Sequence, residues 1–250
     1  MTKLAIISDL HGNLPALEAT LKDIAKHDIQ NILCLGDVAS FGPQPKETLL
    51  RIQALKCPMV MGNADMELLE PNQAEILEEE NRWFADVKHW CAEQLDESDK
   101  EFIRTFKSSL TLNLDGLSIL AYHGSPKSYN DLITATTPDE ELQVFFEGTS
   151  ANVYVGGHTH EQFIRRYGEA RIMNPGSVGL PFIMKGSDGL NICVAEYALL
   201  EVIDAQPNVT FRRIRYDPKA LEKAAHKSAI PHAVRWIGWF RVIVTQVKVV

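Results

Sequence analysis

Residues 4–13 read LAIISDLHGN, an apolar run that passes directly into a polar cluster. Four later segments of the chain have the same form. The five clusters are Asp9-Leu10-His11, Gly36-Asp37, Gly62-Asn63, His123-Gly124 and Gly156-Gly157-His158-Thr159-His160. An apolar run of this length, bounded by turn residues, predicts a buried strand. Because parallel strands of α/β proteins hold their ligands at the carboxyl edge of the sheet, the five clusters predict one functional site.

Each cluster taken alone also fits ordinary turn chemistry. Glycine supplies a positive φ, and Asp and Asn side chains bond to their own backbone or cap a helix. A His-x-His pair after a strand is less common in turns, because alternate residues of an extended segment point the same way. Five such clusters, all at strand ends, favour a shared site over five independent turns.

The clusters supply seven side chains that can bind a metal ion. They are Asp9, His11, Asp37, Asn63, His123, His158 and His160. A mixture of imidazole and oxygen donors suits manganese, iron, cobalt, nickel or zinc. Seven donors are too many for one ion that also keeps a position open for water, so we expect two ions that share one carboxylate. Two metals about 3.5–4 Å apart can hold the attacking and spectator oxygens of a displacement at phosphorus, with a bridging hydroxide as the nucleophile.

The same clusters, followed by Asn174-Pro175-Gly176-Ser177-Val178-Gly179, resemble the calcineurin-like metallophosphoesterase superfamily. The resemblance covers about residues 3–215 and is strongest to small single-domain bacterial and archaeal members, of the phosphodiesterase type. It implies an α/β fold, a four-layer α/β/β/α sandwich of two mixed sheets flanked by helices. It also implies two divalent transition metal ions, with manganese as the first expectation and iron, nickel, zinc or cobalt as alternatives.

Carried over position by position, the resemblance divides the seven side chains between two ions. One ion takes Asp9, His11 and His160, the other takes Asn63, His123 and His158, and Asp37 bridges them. The residues expected to take part in catalysis are Asp37, Asn63, Asp65 and His123. Only Asp9 and Asp37 bring negative charge to the two cations, so the surplus positive charge suits an anionic phosphoester.

One position departs from the family pattern. Many members carry a histidine directly after this asparagine, paired with the following acid and assigned to protonating the leaving group. Here the stretch is Gly62-Asn63-Ala64-Asp65, and Ala64 cannot donate a proton. General acid catalysis contributes about 10²- to 10⁴-fold, and it matters most for poor leaving groups. We therefore expect substrates whose leaving group departs unaided, such as phosphodiesters, dinucleoside polyphosphates and aryl esters.

We predict a metal-dependent phosphoester hydrolase that acts on a small phosphoester or nucleotide. Three alternatives stay open: a binding module that keeps the fold without turnover, a broad phosphomonoesterase, and a nuclease. The missing acid at Ala64 favours the binding module, whereas the complete ligand set opposes it. The formal net charge of −8 opposes a nucleic-acid binder, which would need a basic face for phosphate contacts.

The length of 250 residues predicts a single domain over residues 1–250. Residues 66–110 read as a helical insertion, which either leans over the metal site and selects the substrate or only covers the sheet. Within it, Ser98-Asp99-Lys100-Glu101 has the form of a capping box. Asp115-Gly116 predicts a two-residue hairpin. The strands that follow the histidine pair, from Gln162 to Arg215, predict a second, largely antiparallel sheet.

Residues 234–250 form an atypical apolar tail, which is an added strand, a dimer contact or the product of a shifted reading frame, so a homodimer is one expectation. The four cysteines lie far apart without a C-x-x-C pair, which fits a reducing, cytoplasmic setting. The amino terminus leads straight into a predicted core strand, so we expect no signal peptide. Apolar runs stay below the roughly 18 residues of a membrane span, so we expect a cytoplasmic protein without one.

Overall fold

The structure is a computed structural model, and it describes residues 2–70, 82–181 and 193–239. The strands of these ranges are β1 Lys3–Ile7, β2 Asn31–Cys34, β3 Ser109–Leu114, β4 Leu117–Tyr122, β5 Val153–Val155, β6 Phe163–Tyr167, β7 Ala170–Asn174, β8 Val194–Ile203 and β9 Gln206–Arg215. The helices are α1 Leu14–Ala25, α2 Pro45–Gln53, α3 Asn63–Leu69, α4 Arg82–Glu93, α5 Glu97–Arg104, α6 Asp139–Phe145, α7 Pro218–Ser228 and α8 Ala233–Trp239.

The strands form two mixed sheets. The first has the order β2-β1-β8-β9, with β1 and β2 parallel and the other pairs antiparallel. The second has the order β3-β4-β5-β7-β6, with β4, β5 and β7 parallel and the two outer strands antiparallel. Helices pack on the outer faces of both sheets. The predicted sandwich of two mixed sheets flanked by helices is therefore confirmed.

The layers follow from alternation along each strand. In β1, Leu4 and Ile6 belong to the apolar core between the two sheets, whereas Ala5 and Ile7 belong to the core under α1, α2 and α4. A third core lies between the second sheet and α6, where Leu142 is fully buried. A strand buried on both faces must be apolar throughout, which explains why β1 reads as an unbroken hydrophobic run.

The prediction of a second, largely antiparallel sheet after the histidine pair is wrong. Strands β6 and β7 extend the second sheet, and β7 lies parallel to β5, whereas β8 and β9 extend the first sheet beside β1. The stretch from Val194 to Ile203 is one ten-residue strand, although the sequence suggested two. Residues 59–61, predicted as a strand, make only isolated bridges, to Cys34 and Lys107.

Of two local motifs predicted from the sequence, the hairpin turn is found where expected and the capping box is displaced. The hairpin at Asp115-Gly116 joins β3 to β4, and both residues have positive φ, as a two-residue turn of the primed type requires. The capping box lies earlier than predicted. Asp96, not Ser98, is the N-cap of α5: its carboxylate accepts from Asp99 N, and the Asp99 carboxylate accepts from Asp96 N.

The predicted insertion contains α3, α4 and α5. On α4, Trp83, Val87 and Cys91 are buried against the core that covers the first sheet. Helix α8 lies at the start of the tail predicted to be atypical, and residues 240–250 of that tail lie outside the described ranges. All four cysteines are free thiols. Among the described helices, not one has the length and apolar character needed to cross a bilayer.

Candidate metal centre

Four of the five polar clusters lie where strands of the two sheets end, and the fifth, Gly62-Asn63, follows the isolated bridges at residues 59–61. Asp9 and His11 follow β1, Asp37 follows β2, and His123 follows β4. The pair His158 and His160 follows β5, and Asn63 is the first residue of α3. Because β1 and β2 are parallel, and so are β4 and β5, the loops after them meet at one edge of the sandwich.

Five of these residues have a backbone conformation that non-glycine residues rarely adopt. Their φ angles are 55° at Asp9, 46° at His11, 54° at Asp37, 67° at His158 and 58° at His160. The left-handed region costs roughly 1 kcal/mol or more for such residues, although Asp and His tolerate it better than most. Strain concentrated in this way is typical of functional sites, where the turn directs the side chain inward.

The first group of candidate ligands is formed by Asp9, His11, Asp37 and His160. One ligand atom from each lies within 4.8 Å of the others. His160 Nε2 is 3.1 Å from Asp9 Oδ1 and 3.1 Å from His11 Nε2. His11 Nε2 is 3.8 Å from Asp37 Oδ2. All four side chains are buried.

The second group shares Asp37 with the first. It contains Asp37, His123 and His158, again with ligand atoms within 4.8 Å of one another. His123 Nε2 lies 3.4 Å from Asp37 Oδ2 and 3.1 Å from the amide oxygen of Asn63. Asn63 and His158 are half-buried, so this group is the one that faces solvent. The fold therefore brings all seven predicted ligand residues together.

Backbone carbonyls fix the orientation of three imidazoles. The Nδ1 atom lies 2.7 Å from Leu35 O in His123, 2.6 Å from Leu180 O in His160, and 3.3 Å from Ser40 O in His11. A carbonyl only accepts, so Nδ1 carries the proton of each neutral ring. The Nε2 lone pair is then directed into the site, as metal-binding histidines require.

The electrostatics of the site favour a cation. Burial and the neighbouring His160 lower the pKa of His11 to about 4, which keeps that ring neutral. Burial also disfavours charge on His123, but the carboxylates of Asp37 and Asp9 outweigh it and raise its pKa to about 10. The site therefore attracts positive charge strongly enough to overcome desolvation.

Asp9 provides the clearest test of whether the residues fit metal ions. Its Oδ1 atom is buried and accepts no well-oriented hydrogen bond in the described part of the chain. The nearest imidazole atom is His160 Nε2, which is itself an acceptor when Nδ1 of that ring donates to Leu180 O. Buried acceptors that face one another are costly unless a cation lies between them. The donor set and its geometry thus fit divalent transition metals.

Asp65, predicted to be catalytic, lies behind the ligands. It is fully buried, and its carboxylate accepts from the backbone N–H groups of Asp37, Val38 and Gly62 at 2.7, 2.8 and 3.0 Å. These bonds join the loop of Asp37 to the loop of Asn63. Asp65 thus holds two ligand loops together, and its part in catalysis stays a prediction.

The sequence alone did not reveal the role of residues 174–180, whose only signal was the family resemblance. Ser177 Oγ donates to Asp9 O at 2.7 Å and accepts from Leu180 N at 2.8 Å. Asn174 Nδ2 donates to Gly157 O at 2.6 Å. The segment therefore connects the Asp9 loop to the histidine loop, and it supplies the carbonyl that orients His160.

Comparison with known proteins agrees with this geometry. A family model described as the calcineurin-like phosphoesterase superfamily domain matches residues 2–202. The chain belongs to this superfamily. Family membership supports phosphoester hydrolysis in general, and the superfamily is metal-dependent.

Relatives of this calcineurin-like phosphoesterase span nearly its whole length. The protein MJ0912 of Methanocaldococcus jannaschii is 30% identical over 250 residues, covering 94% of this chain and 95% of the relative. The phosphodiesterase YfcE of Escherichia coli strain K12 is 27% identical over 219 residues, covering 87% of this chain and all of YfcE. A metallophosphoesterase structure from Sphaerobacter thermophilus superposes with a TM-score of 0.72 at 25% identity, covering 95% of this chain and 98% of that one.

Proposed function

We propose that this chain is a two-metal phosphoesterase that hydrolyses a small phosphodiester or a nucleotide anhydride. The observation that carries the proposal is the pair of ligand groups that share Asp37. Two cations held by such groups supply an activated solvent nucleophile near neutral pH and stabilise charge on the phosphoryl oxygens.

The chain's own residues divide the work between holding cations and admitting substrate. Asp9, His11 and His160 would hold one cation, Asn63, His123 and His158 the other, and Asp37 both. Because Asn63 and His158 are half-buried while the other ligands are buried, substrate approaches on their side. Asp37, Asn63 and His123 thus lie next to the reacting phosphorus, which is the catalytic part we propose for them.

Charge selects for an anionic substrate. The ligand set contains two carboxylates, Asp9 and Asp37, against two divalent cations, so the loaded site retains positive charge. Asn63 contributes an amide oxygen and no charge. A phosphodiester or a polyphosphate supplies the missing negative charge in a buried setting where such pairing counts most.

The residue at position 64 favours substrates with a good leaving group. Ala64 N donates to Asp37 Oδ1 at 2.8 Å, and Ala64 is only 5% exposed. This position offers no proton to a departing alkoxide. A leaving group that is stable as an anion, such as a phosphate of a nucleotide anhydride, needs no such proton. The name of the Escherichia coli relative, a phosphodiesterase, supports the diester class.

One alternative has an observation in its favour. A binding module that retained the fold would explain the absence of an acid at Ala64. The seven capable ligands oppose it, since a module without turnover has no need of two complete ligand groups.

Manganese is the first metal we propose, and the free thiols support a reducing, cytoplasmic setting.

A substrate panel with controlled metals tests the function. The chain is stripped with a chelator and reloaded with manganese, iron, cobalt, nickel or zinc. Each form is then assayed on bis-nitrophenyl phosphate, nitrophenyl phosphate, cyclic nucleotides and dinucleoside polyphosphates. We expect activity only with metal, and higher kcat/KM for diesters or anhydrides than for monoesters. Activity that survives chelation would refute the mechanism, and binding without turnover of any substrate would favour the binding module.

A further inference from the structure

Helix α8 contacts the loop that orients a ligand of the first group. The indole Nε1 of Trp236 donates to Phe41 O at 2.8 Å, and Trp236 is 1% exposed. The neighbouring carbonyl, Ser40 O, accepts from Nδ1 of His11. Two consecutive carbonyls of one loop thus bind the carboxyl-terminal helix and the metal-binding histidine.

The loop at residues 38–42 is too tightly packed for its two carbonyls to move independently. Phe41 has a φ of 68°, a conformation that costs free energy in a non-glycine residue. A Cβ atom added to Gly42 would lie 1.8 Å from His11 O, so the loop and the His11 backbone are in direct contact. A displacement at Phe41 therefore reaches His11.

The same loop is held from a second side by α4. The Phe41 ring stacks on Phe84 with centroids 5.1 Å apart. Helix α8 and the residue before it also bind α4: the Arg235 guanidinium lies 5.0 Å from the centroid of the Trp83 ring, and His232 Nε2 is 2.7 Å from Asp86 Oδ2. Aromatic packing fixes the ring of Phe41, whereas the Trp236 N–H fixes its carbonyl.

We propose that Trp236 is a positioning residue for the first ligand group, acting through Phe41 and Ser40 on His11. The proposal rests on the proposed two-cation centre. The second group has supports of its own: His123 is oriented by Leu35 O, and the loop of Asn63 is held by Asp65, which also supports the shared Asp37. Loss of the Trp236 N–H should therefore weaken one cation site and leave the other unchanged.

Cobalt titration of the metal-free full-length chain tests this, with the visible absorption of bound Co²⁺ as the readout. For Trp236→Phe we expect about 10-fold weaker binding at one of two sites, the lower end of what loss of a supporting contact costs a metal ligand. A benzothienylalanine at position 236 keeps the size of the indole and lacks its N–H, so it should show the same loss even if Trp236→Phe folds poorly.

Two controls separate positioning from general destabilisation. Val234→Ala changes a residue on the same helix that is 80% exposed, and Leu221→Ala removes buried contacts on α7. Both should bind cobalt as the unaltered chain does, although Leu221→Ala should lower the melting temperature. In a His11→Ala background, Trp236→Phe should have no further effect, because the residue through which it acts is gone.

The outcomes are distinguishable. Equal loss at both sites, or unchanged affinity with the benzothienylalanine variant, would overturn the role of Trp236. Failure of the unaltered chain to bind cobalt at all would instead overturn the proposed two-cation centre.

Discussion

The two ligand groups have unequal surroundings. Asp9, His11 and His160 are all buried, whereas Asn63 and His158 are half-buried. Hydrogen bonds from residues 174–180 and from the 38–42 loop hold the first group in place. The second includes a neutral amide that opens a short helix. The difference indicates a closed cation site that anchors the centre and an open one that meets substrate.

The largest loss of activity is expected on substitution of Asp37, the residue that both ligand groups contain. Asp37→Asn replaces the carboxylate that both groups share and should lower kcat/KM by more than about 100-fold, since even loss of a supporting residue commonly costs 10- to 100-fold. Metal content should fall together with activity. Asp204→Asn, on the exposed β8–β9 turn, is the matched control and should leave both unchanged. Full metal content in Asp37→Asn would show that the groups do not depend on a shared ligand.

Removing one histidine from each group compares them directly. His158→Ala leaves a gap that water can fill, so activity should recover at high manganese concentration, with affinity lowered about 10-fold. His11→Ala leaves a gap in a buried site and should not recover. Activity measured against manganese concentration distinguishes the two. Equal recovery of both variants would contradict the distinction between a closed and an open site.

Asp65→Asn tests the support that the groups have in common. An amide in place of the carboxylate loses the charged acceptor for three backbone N–H groups, so we expect about 2 kcal/mol lower free energy of unfolding and weaker manganese binding. Asp96→Asn is the control, because Asn also caps helices well and the hydrogen bonds of the Asp96 carboxylate are with Lys46, Ser98 and Asp99 N. If Asp65→Asn lost turnover but kept stability and metal affinity, Asp65 would be catalytic after all.

The smallest effect concerns the leaving group. Ala64→His should raise turnover of alkyl phosphoesters relative to nitrophenyl esters by about 10-fold, below the usual 10²–10⁴ because the position is nearly buried. Ala64→Leu adds bulk without a proton and is the matched control. The ratio of the two kcat/KM values is the measurement. An equal change for both esters would refute the leaving-group argument.

The sequence predicted the site better than the sheet pairing. Each ligand follows a local pattern, an apolar run that ends in Gly, Asp, Asn or His, and this pattern is visible without tertiary contacts. Strand partners are not local: β7 joins β5 in parallel, whereas β8 joins β1 antiparallel. Nothing in either segment specifies its neighbour.

The atoms that hold the ligand side chains in place could not be predicted from the sequence either. The atoms that orient His11, His123 and His160 are backbone carbonyls, which every residue possesses. The family resemblance predicted a catalytic part for Asp65, the acid that follows position 64, but the contacts of its carboxylate with the Asp37 loop are not visible in the sequence. Such roles emerge only from the packed structure.

Metal stoichiometry tests the central claim most directly. The metal-free chain is titrated with manganese, bound metal is counted per chain, and magnetic coupling between ions is measured by electron paramagnetic resonance. The account predicts two manganese ions per chain, coupled to each other, and loss of that coupling in Asp37→Asn. One ion per chain, or two ions without coupling, would contradict a centre in which two cations share Asp37.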